Sequence, residues 1–585
     1  FSCCSMMFYG IIYMVMKMFL KKDRKPNGRV YLSIVQGYRE PGTGKVKQKN
    51  VKSLGYLDEL EKDFDDPIAH FTEVAKQMTE ESKKGVRPIT FNFSVNDTID
   101  TTLTLRKNLG FSVLSFFYHQ LKMNEFFINR QRNLNIEYSL NNIFQILVYS
   151  RVLYPCSKKQ VFENIDGFFL DFDFKIDDIY RALDYFNLYR DDLLLHIHRM
   201  VRAVYGRDMS NVYYDVTNYY FEIKEPDDLR KKGVSKEHRP NPIIQMGLLM
   251  DNAGLPITYQ LFEGNTNDCE TLMPVLDELK DDFGLGRIIV VADKGMNTGD
   301  NIAYNMLHGN GYIYSKSVRS ADADLKDFVL SDDGYTRFED GFKIKSRVIP
   351  TYIWVTNAAD KKIKAPIEQK QVVFYSPDYA RRARYDREKA IEKAKKTIQA
   401  NNRGKLPIKG SLRYITSTPY DSETGELYEC QDYHAIDIEK IKEEEKFDGY
   451  YAIVTSELDM PDNEILDAYR GLWRIEESFK ITKSELKTRP VYVSTKEHIE
   501  AHFLTCFVSL LLIRLLEMST EHKYSTKTLV NEMRNITGTY MDENYYMFDH
   551  FNEVVEDLGH VIGVDFSKRF MSLREIKEII AQTKK

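Results

Sequence analysis

The alternation of apolar and polar residues divides the chain into regions of different structure. Between residues 105 and 207, apolar side chains recur three or four positions apart, as in Ile143, Ile146 and Leu147, which is the spacing of a helix with one buried face. From residue 211, short apolar runs alternate with turn residues instead, a pattern typical of strands. We therefore predict a mainly helical region followed by a region that contains a β-sheet.

The sheet-forming region predicts a specific order of elements. Strands are expected over 211–217, 243–250 and 255–262, the last two joined by the hairpin turn Asp251-Asn-Ala-Gly254. The next predicted elements are a helix over 269–281, a strand over 287–293, a helix over 300–308 and a strand over 311–315. This β-β-β-α-β-α-β order is that of a ribonuclease-H-like core, in which the first and fourth strands lie side by side.

The last helix of such a core is missing from its expected place. Residues 319–461 contain β-like runs, among them 342–348 and 352–355, around one charged helix. The missing helix is expected at 467–487, in the segment 462–520. We therefore predict an α/β fold: a ribonuclease-H-like core interrupted by a largely β insertion domain and preceded by a helical region and a basic N-terminal β-hairpin.

Seven segments are predicted along the chain. They are 1–17, a non-native or upstream leader; 18–90, a basic β-hairpin plus linker; 91–207, a mainly helical region with possible DNA binding; 208–318, the first part of the core; 319–461, the β-rich insertion with its basic helix; 462–520, the last part of the core; and 521–585, a helical C-terminal tail. The leader is expected because 1–16 is uncharged and mostly apolar, with Met18 as a candidate start.

Charge and cysteine content narrow the class of protein. The 585 residues predict three or four domains, and a net charge of −5 excludes a uniformly basic nucleic-acid-binding surface. The six cysteines show no C-x-x-C spacing, which favours a reducing cytoplasm over a zinc or dithiol site. The apolar run 503–513 is short and ends at Arg514, so we expect a buried core helix rather than a membrane span.

One segment is strongly basic. Residues 381–413 contain twelve Lys or Arg and three acids. Such segregated charge is typical of a surface that contacts phosphates, and Arg381, Arg382, Arg384 and Arg387 are the leading candidates. The alternative is an exposed helix of a lysine-rich protein.

Three acids are placed where they could meet. Asp215 and Asp293 each end a predicted strand, and residues 469–483 have no glycine or proline after Gly471 and predict a helix. A spacing of seven residues would put Tyr469, Glu476 and Lys483 on one stripe of that helix. In isolation, the helix is equally consistent with a surface helix that carries Arg474–Glu477 and Glu476–Lys480 ion pairs.

Three carboxylates at adjacent strand ends and on a helix packed across them would form an oxygen-rich site for two Mg²⁺ ions. Such a site suits phosphodiester hydrolysis and transesterification. A single aspartate after a strand more often caps a turn or a helix, so the prediction depends on the three acids occurring together.

These motifs resemble the DDE transposases of bacterial insertion sequences, specifically the branch with a Tyr-(2)-Arg-(3)-Glu-(6)-Lys signature. Tyr469, Glu476 and Lys483 have that spacing, within Trp473-Arg-Ile-Glu-Glu477, whereas Leu472 occupies the arginine position. Tyr-Tyr-Asp215-Val-Thr and Val-Ala-Asp293-Lys-Gly-Met-Asn are similar to the first two acidic motifs of the family. The resemblance covers about residues 18 to 520.

The resemblance implies a mechanism. Asp215, Asp293 and Glu476 would bind Mg²⁺ or Mn²⁺. Water would nick the element's end, and the new 3′-hydroxyl would attack target DNA. The residues expected to contact DNA are Tyr469, Trp473, Arg474, Lys480, Lys483, Arg381, Arg382, Arg384 and Arg387. The expected partners are double-stranded DNA, as inverted repeats and target, and a second copy of the chain, with no membrane. The expected location is the bacterial cytoplasm, in association with the nucleoid.

Two other functions fit the same residues. One is a catalytically inactive, transposase-derived DNA-binding protein, which the departure at Leu472 favours. The other is a ribonuclease-H-fold nuclease that cuts DNA without joining it. Metal-dependent nicking of DNA would distinguish an active enzyme from the inactive DNA-binding protein. Joined DNA products would distinguish a transposase from the nuclease.

Overall fold

The structure is a computed structural model that describes residues 18–25, 28–39, 46–64, 66–85, 104–234, 236, 240–283, 286–400, 413–420, 431–541 and 544–585. The predicted leader and the first part of the predicted helical region, 91–103, lie outside these residues. The chain divides into two compact units, Phe1–Leu103 with Tyr540–Tyr545, and Thr104–Thr539 with Tyr546–Lys585.

The smaller unit contains a three-stranded antiparallel sheet in the order β1-β2-β3. Its elements are β1 (Met18–Arg24), β2 (Val30–Arg39), β3 (Val46–Tyr56), α1 (Leu57–Leu60) and α2 (Pro67–Gly85). Leu32 and Ile34 of β2 are fully buried, and Thr79 of α2 accepts a 2.9 Å hydrogen bond from the backbone N–H of Met18. In the segment predicted to hold a basic β-hairpin, 18–90, strands β2 and β3 pair with each other and β1 pairs with β2.

The larger unit begins with helices, as the spacing of apolar residues predicts. After β4 (Arg106–Asn108) come α3 (Phe111–Gln120), α4 (Met123–Gln131), α5 (Leu140–Leu153), α6 (Lys158–Glu163), α7 (Ile176–Leu188) and α8 (Arg190–Tyr205). Helix α5 starts at Ser139, whose side chain accepts a hydrogen bond from the Asn142 backbone N–H and so satisfies one of the helix's free donors. Nearly every residue of α5 is buried, which places it at the centre of the helical region.

The core sheet follows. Its elements are β5 (Asn211–Tyr220), β6 (Ile243–Met250), β7 (Pro256–Glu263), α9 (Leu272–Phe283), β8 (Ile289–Ala292), α10 (Gly299–Leu307) and β9 (Gly311–Lys316). The strands are ordered β7-β6-β5-β8-β9; β5, β6 and β7 are antiparallel, whereas β5, β8 and β9 are parallel. The mixed α/β class and the strand order predicted for a ribonuclease-H-like core are confirmed.

The predicted insertion continues this sheet. Its elements are α11 (Ala323–Leu330), β10 (Thr336–Arg337), β11 (Lys343–Thr356), β12 (Lys362–Tyr375), α12 (Pro377–Ala400), β13 (Ile415–Tyr420), β14 (Gln431–Ile436), α13 (Ile438–Glu445) and β15 (Tyr450–Thr455). Strand β15 pairs with β9 and β12 pairs with β15. Four strands of the insertion therefore extend the core sheet to nine strands, in the order β10-β11-β12-β15-β9-β8-β5-β6-β7, while β13 and β14 pair separately. The two strands predicted at 342–348 and 352–355 are a single strand, β11, because Pro350 lies within its pairing with β12 without interrupting it.

The rest of the chain is mainly helical. It consists of α14 (Asp462–Arg470), α15 (Trp473–Ser484), α16 (Lys496–Ser519), α17 (Thr526–Asn535), β16 (Thr537–Tyr540), β17 (Tyr545–Phe548), α18 (Glu553–Ile562), β18 (Phe570–Ser572) and α19 (Leu573–Gln582).

Helix α16 connects the helical region to the sheet. By length and composition it could cross a membrane, but 94% of its most apolar window is buried within the protein, which confirms the predicted core helix. The Ser509 hydroxyl lies 3.3 Å from the carbonyl oxygen of Val148 in α5, while the rings of Phe507 and Tyr259, in β7, are 5.2 Å apart. The core sheet and the helices therefore share one hydrophobic core.

Candidate active site

Two of the predicted acids lie on adjacent parallel strands. In the register of β5 and β8, Tyr214 pairs with Ala292, so Asp215 and Asp293 each occupy the next position. Asp293 follows the end of β8, as predicted. Asp215 does not end its strand, because β5 continues to Tyr220 through its pairing with β6; the expected boundary at this residue was wrong.

The third acid is carried by a helix that starts close to β5. The helix predicted over 469–483 is two helices, α14 and α15, separated by Gly471 and Leu472. Here the backbone bonds span three residues instead of four, from the Leu472 N–H to the Tyr469 carbonyl oxygen, as in a 3₁₀ turn. A Cβ on Gly471 would overlap the hydroxyl of Tyr213, so glycine permits the approach to β5. The prediction of one continuous helix is therefore wrong: Tyr469 lies on α14, whereas Glu476 and Lys483 lie on α15.

Asp215, Asp293 and Glu476 nevertheless line one cavity of about 690 Å³. The other residues that line it are Phe342, Phe374, Ser376, Asp378, Tyr379, Arg382, Tyr451, Tyr469, Arg470, Leu472, Trp473 and Ile475. The three acids thus face one cavity, with an aromatic wall and two arginines around them.

The electrostatics of the cavity disfavour a charged Asp215. Burial is the largest effect and raises the pKa of this carboxyl from 3.8 to about 6. The Lys236 ammonium and a 2.7 Å hydrogen bond from the Val216 backbone N–H oppose the rise in the pKa, whereas Asp293 and Glu476 add to it. A cation in the cavity would relieve this unfavourable charge.

Asp293 is held by a neighbouring strand. The Ser315 hydroxyl, on β9, donates a 2.8 Å hydrogen bond to its Oδ1. Because β8 and β9 are parallel neighbours, this bond fixes the carboxylate at the edge where the strands end.

The donor set fits magnesium ions that are shared with a substrate. Within the described part of the chain, no three His, Cys, Asp or Glu side chains are grouped closely enough to hold a metal ion by themselves. Mg²⁺, however, is commonly bound by one or two carboxylates and completed by water and substrate phosphates. Three carboxylates that line one open cavity suit a site in which water and substrate phosphates complete the coordination of the ion.

A buried arginine positions the helix that carries Glu476. The Arg514 guanidinium, on α16, donates to the Arg474 carbonyl oxygen at 3.1 Å, to the Ser478 hydroxyl at 2.8 Å and to Glu477 at 3.0 Å. Its fourth partner is Glu517, at 2.7 Å. The predicted surface ion pair of Arg474 with Glu477 is replaced by this buried one.

Of the predicted DNA-contacting residues near the acids, two line the cavity and three do not. Tyr469 and Trp473 line the cavity, and Trp473 is 55% exposed, which excludes a role in the hydrophobic core. Lys480 is exposed and Arg474 half-buried. The Lys483 ammonium lies outside the cavity lining, 5.4 Å from the centre of the Tyr219 ring.

Leu472, in the position of the signature arginine, is buried and lines the cavity. Its apolar side chain forms part of the wall beside the acids.

The four arginines predicted to contact DNA from the basic segment lie on α12 and are not equivalent. Arg382 is exposed and lines the cavity; Arg384 is exposed, and Arg381 forms an ion pair with Asp378. Arg387 is buried between Asp448 and Glu445. The predicted DNA contact of Arg387 is not supported, because its guanidinium is already neutralised inside the protein. Arg403, Lys405 and Lys409 lie outside the described residues.

Several cavity residues were not found from the sequence. Tyr379 lies on α12, Phe342 comes directly before β11, and Phe374 and Tyr451 lie on β12 and β15; their rings form a chain of contacts, such as 5.6 Å between Tyr379 and Tyr451. The register of β12 with β15 places Phe374 opposite Tyr451. The pattern of the sequence contains no signal for that pairing.

Family models match two stretches of the chain. Residues 20–88 match the IS1634 family transposase N-terminal domain, and residues 224–512 match the transposase DDE domain. Together they make up more than half of the 585 residues. The chain belongs to the insertion-sequence DDE transposases.

Solved structures similar to this transposase are distant. A cryo-EM structure of the piggyBac transposase synaptic complex with hairpin DNA is 8% identical, covers 81% of this chain and 84% of its own, and has a TM-score of 0.33. A Mos1 transposase paired-end complex with the left transposon end is 11% identical, covers 41% and 66%, and has a TM-score of 0.14. At these scores the fold rests on the strand order described above. Among curated proteins, none matches the transposase.

Proposed function

We propose that this transposase cleaves the ends of an insertion sequence and joins them to target DNA by two-metal phosphoryl transfer. The observation that supports the proposal is that Asp215, Asp293 and Glu476 line one cavity. The membership of the chain in a DDE transposase family supports the choice of DNA as substrate.

The three carboxylates would hold two Mg²⁺ ions, or Mn²⁺ in their place. When bound, these ions supply activation of the attacking oxygen and stabilisation of the departing one. The raised pKa of Asp215 fits this role, since a carboxylate that is unfavourable alone becomes favourable beside a cation.

The other cavity residues bind and orient the DNA strand. Arg382 and Arg470 offer guanidinium groups to phosphate oxygens. Burial raises the pKa of Tyr469, so its phenol keeps the proton and can donate a hydrogen bond to a phosphate. The exposed Trp473 provides a surface on which an unpaired base can stack.

The partners follow from the reaction. The inverted repeats at both ends of the element and the target duplex are the substrates, and the exposed Arg381, Arg382 and Arg384 of α12 extend the basic surface beyond the cavity. Joining requires two ends to be held together, which suits a dimer on the DNA. A transposase of a bacterial insertion sequence acts in the cytoplasm on the nucleoid.

The test uses the full-length protein and a linear duplex carrying the inverted repeat found beside its gene. In Mg²⁺, strands nicked at the repeat end and products joined to a target plasmid are expected, and EDTA abolishes both. Asp293→Ala is expected to abolish cleavage, whereas Asp459→Ala, at an exposed aspartate outside the cavity, retains it. Cleavage by Asp293→Ala would defeat the proposed site.

Two other outcomes would replace the proposal. Binding of the repeat without nicking would identify an inactive DNA-binding descendant. Nicking without joined product, under conditions in which a pre-cut 3′-hydroxyl end is supplied, would identify a nuclease.

A further inference from the structure

Strands β11 and β12 extend beyond the sheet to which they belong. They pair with each other over fourteen residues, but β12 pairs with β15 only from Lys370 to Tyr375, and β11 pairs with β10 only at its first two residues. Ile349–Thr356 and Lys362–Gln369 therefore form a two-stranded arm. At about 3.3 Å per residue, its eight paired positions span about 26 Å.

The arm is fixed to the catalytic core. At its tip, the backbone N–H of Thr356 donates to Asp300 Oδ1 at 2.6 Å and its hydroxyl donates to Oδ2 at 3.1 Å. Gly299 lies so close to the Trp354 carbonyl that a Cβ there would overlap it. Because Asp300 lies in the first turn of α10, only seven residues after Asp293, the arm holds a set position relative to the cavity.

One face of the arm is exposed and aromatic. Tyr352 is 61% exposed and Trp354 is 58% exposed, and the alternation of a strand puts both on the same face. Lys364 pairs with Trp354 across the arm, and its ammonium is 4.9 Å from the Tyr352 ring and 5.9 Å from the Trp354 ring. The two rings and the ammonium form one continuous surface.

The same end of the arm is basic. Residues 360–364 contain three lysines and one aspartate, and all three lysines are exposed. Lys362 lies opposite Thr356, as Lys364 lies opposite Trp354, so neither faces an acid across the arm. This surface is thus complementary to an anion that also offers flat apolar groups.

Duplex DNA has both properties. A two-stranded β-ribbon fits the major groove, lysines contact phosphates, and aromatic rings can contact thymine methyl groups in that groove. The same face of a second copy of the chain would bring Lys362 and Lys364 towards lysines of like charge, which disfavours self-association through it.

We propose that the outer face of the β11–β12 arm binds duplex DNA at a site separate from the cleavage cavity, with Lys362 and Lys364 on phosphates and Tyr352 and Trp354 against the bases or sugars. The inference rests on the proposed function in taking DNA as the substrate. None of these four residues lines the cavity, so the arm adds a second contact to the same DNA molecule.

The test measures the affinity of the full-length protein for a fluorescein-labelled duplex of about 30 base pairs over a range of salt concentrations. Tyr352→Ser/Trp354→Ser is expected to weaken binding about tenfold or more. Lys362→Ala/Lys364→Ala is expected to lower the slope of log Kd against log salt by about 2, because each phosphate contact contributes about 0.9. Phe551→Ser, at an exposed aromatic residue elsewhere, is the control and should bind as the wild type does.

The variants must be compared as folded proteins. Thermal unfolding of every variant is measured alongside, and the surface substitutions should leave the melting temperature within about 2 °C of the wild type. Unchanged affinity and salt slope in both arm variants would overturn the proposal. It would also be overturned if the arm substitutions converted a DNA-free dimer to a monomer, because the arm would then be a protein–protein interface. Failure of the proposed function is separate: the wild type would then bind the duplex through the arm yet leave repeat DNA uncut in Mg²⁺.

Discussion

Asp215 and Asp293 each follow the last pair, Tyr214 with Ala292, that links the parallel strands β5 and β8. Neighbouring strands lie about 4.8 Å apart, so this register brings two like charges together before any cation is present. Burial and the nearby acids already raise the pKa of Asp215 to about 6. The site is therefore built at a cost to the stability of the metal-free protein.

Asp215→Asn should stabilise the metal-free transposase while abolishing cleavage. The unfolded carboxyl titrates near pH 4, so from about pH 4 to 6 the folded protein binds more protons and its stability falls as the pH rises. Above pH 6 the charged Asp215 carboxylate lowers the free energy of unfolding by its full amount. Because the side chain is only half-buried, we put that amount at about 1–2 kcal/mol. Thermal unfolding at pH 7.5 in EDTA should give a higher melting temperature for the variant.

Magnesium should reverse the order of the melting temperatures of the wild type and Asp215→Asn. Added Mg²⁺ should raise the melting temperature of the wild type through binding to the folded state and raise that of Asp215→Asn much less. Asp459→Asn serves as the control and should follow the wild type. A metal response in Asp215→Asn equal to that of the wild type would exclude Asp215 as a ligand.

Local patterns in the sequence predict much of the core. The turn Asp251-Asn-Ala-Gly254 and the apolar run before Asp293 are enough to give the order of β6, β7 and β8, because strand periodicity and turn chemistry are local properties. The adjacency of Asp215 and Asp293 then follows from the general rules for sheet connections. These parts of the prediction are confirmed by the strand order.

The parts that depend on distant contacts were not predicted. Helix 469–483 was expected to be continuous, because no glycine or proline follows Gly471. Its break at Gly471 coincides with the close approach of Tyr213, which the local sequence does not reveal. Arg387 looked like its exposed neighbours, yet it is buried by Asp448 and Glu445, 61 and 58 residues further along the chain. The aromatic wall of the cavity depends on the pairing of β12 with β15 in the same way.

Arg514 is expected to act as a positioning residue for Glu476. Arg514→Leu removes the bonds that hold α15 and leaves Glu517 buried without its cation, which typically costs about 3–5 kcal/mol. The double variant Arg514→Leu/Glu517→Leu removes both charges and should recover most of the free energy of unfolding, measured in urea, without recovering cleavage.

The conservative change separates position from stability. Arg514→Lys keeps the charge beside Glu517, but one ammonium cannot reproduce the forked contacts to the Arg474 carbonyl and Ser478. Cleavage should therefore fall by more than stability does, and the Mg²⁺ concentration for half-maximal cleavage should rise. Parallel losses of stability and cleavage, with no change in the Mg²⁺ requirement, would reduce Arg514 to a structural residue.

Lys158 should make the stability of the transposase depend on pH above neutrality. Its ammonium group is buried 2.6 Å from His502 Nδ1, and burial lowers its pKa to about 7. The unfolded lysine titrates near 10.4, so between pH 7 and about 10 the unfolded state binds more protons and stability rises with pH, by at most about 1.4 kcal/mol per unit.

Lys158→Met removes that dependence. Its stability relative to the wild type should be greatest near pH 7 and decline towards pH 10, as urea denaturation at several pH values would show. Lys159→Met, at the exposed neighbouring position, provides a control with a constant difference. A constant difference for Lys158→Met as well would mean that Lys158 stays charged in the folded protein.

Arg382 should contribute more to cleavage than any other exposed arginine of α12. Arg382 and Arg470 are the arginines that line the cavity, and Arg470 already faces Asp467 at 3.4 Å, while Leu472 adds an apolar surface. Arg382→Ala should therefore weaken DNA cleavage about tenfold or more, since a guanidinium at a phosphate in a partly enclosed site is worth a strong, charge-assisted bond. Arg384→Ala, two residues further along the same helix but outside the cavity lining, removes the same charge and should lower cleavage only slightly, mainly at low salt. Equal losses in the two variants, measured as kcat/KM on repeat DNA at 150 mM salt, would show that α12 acts through its overall charge and that the cavity position of Arg382 has no special role.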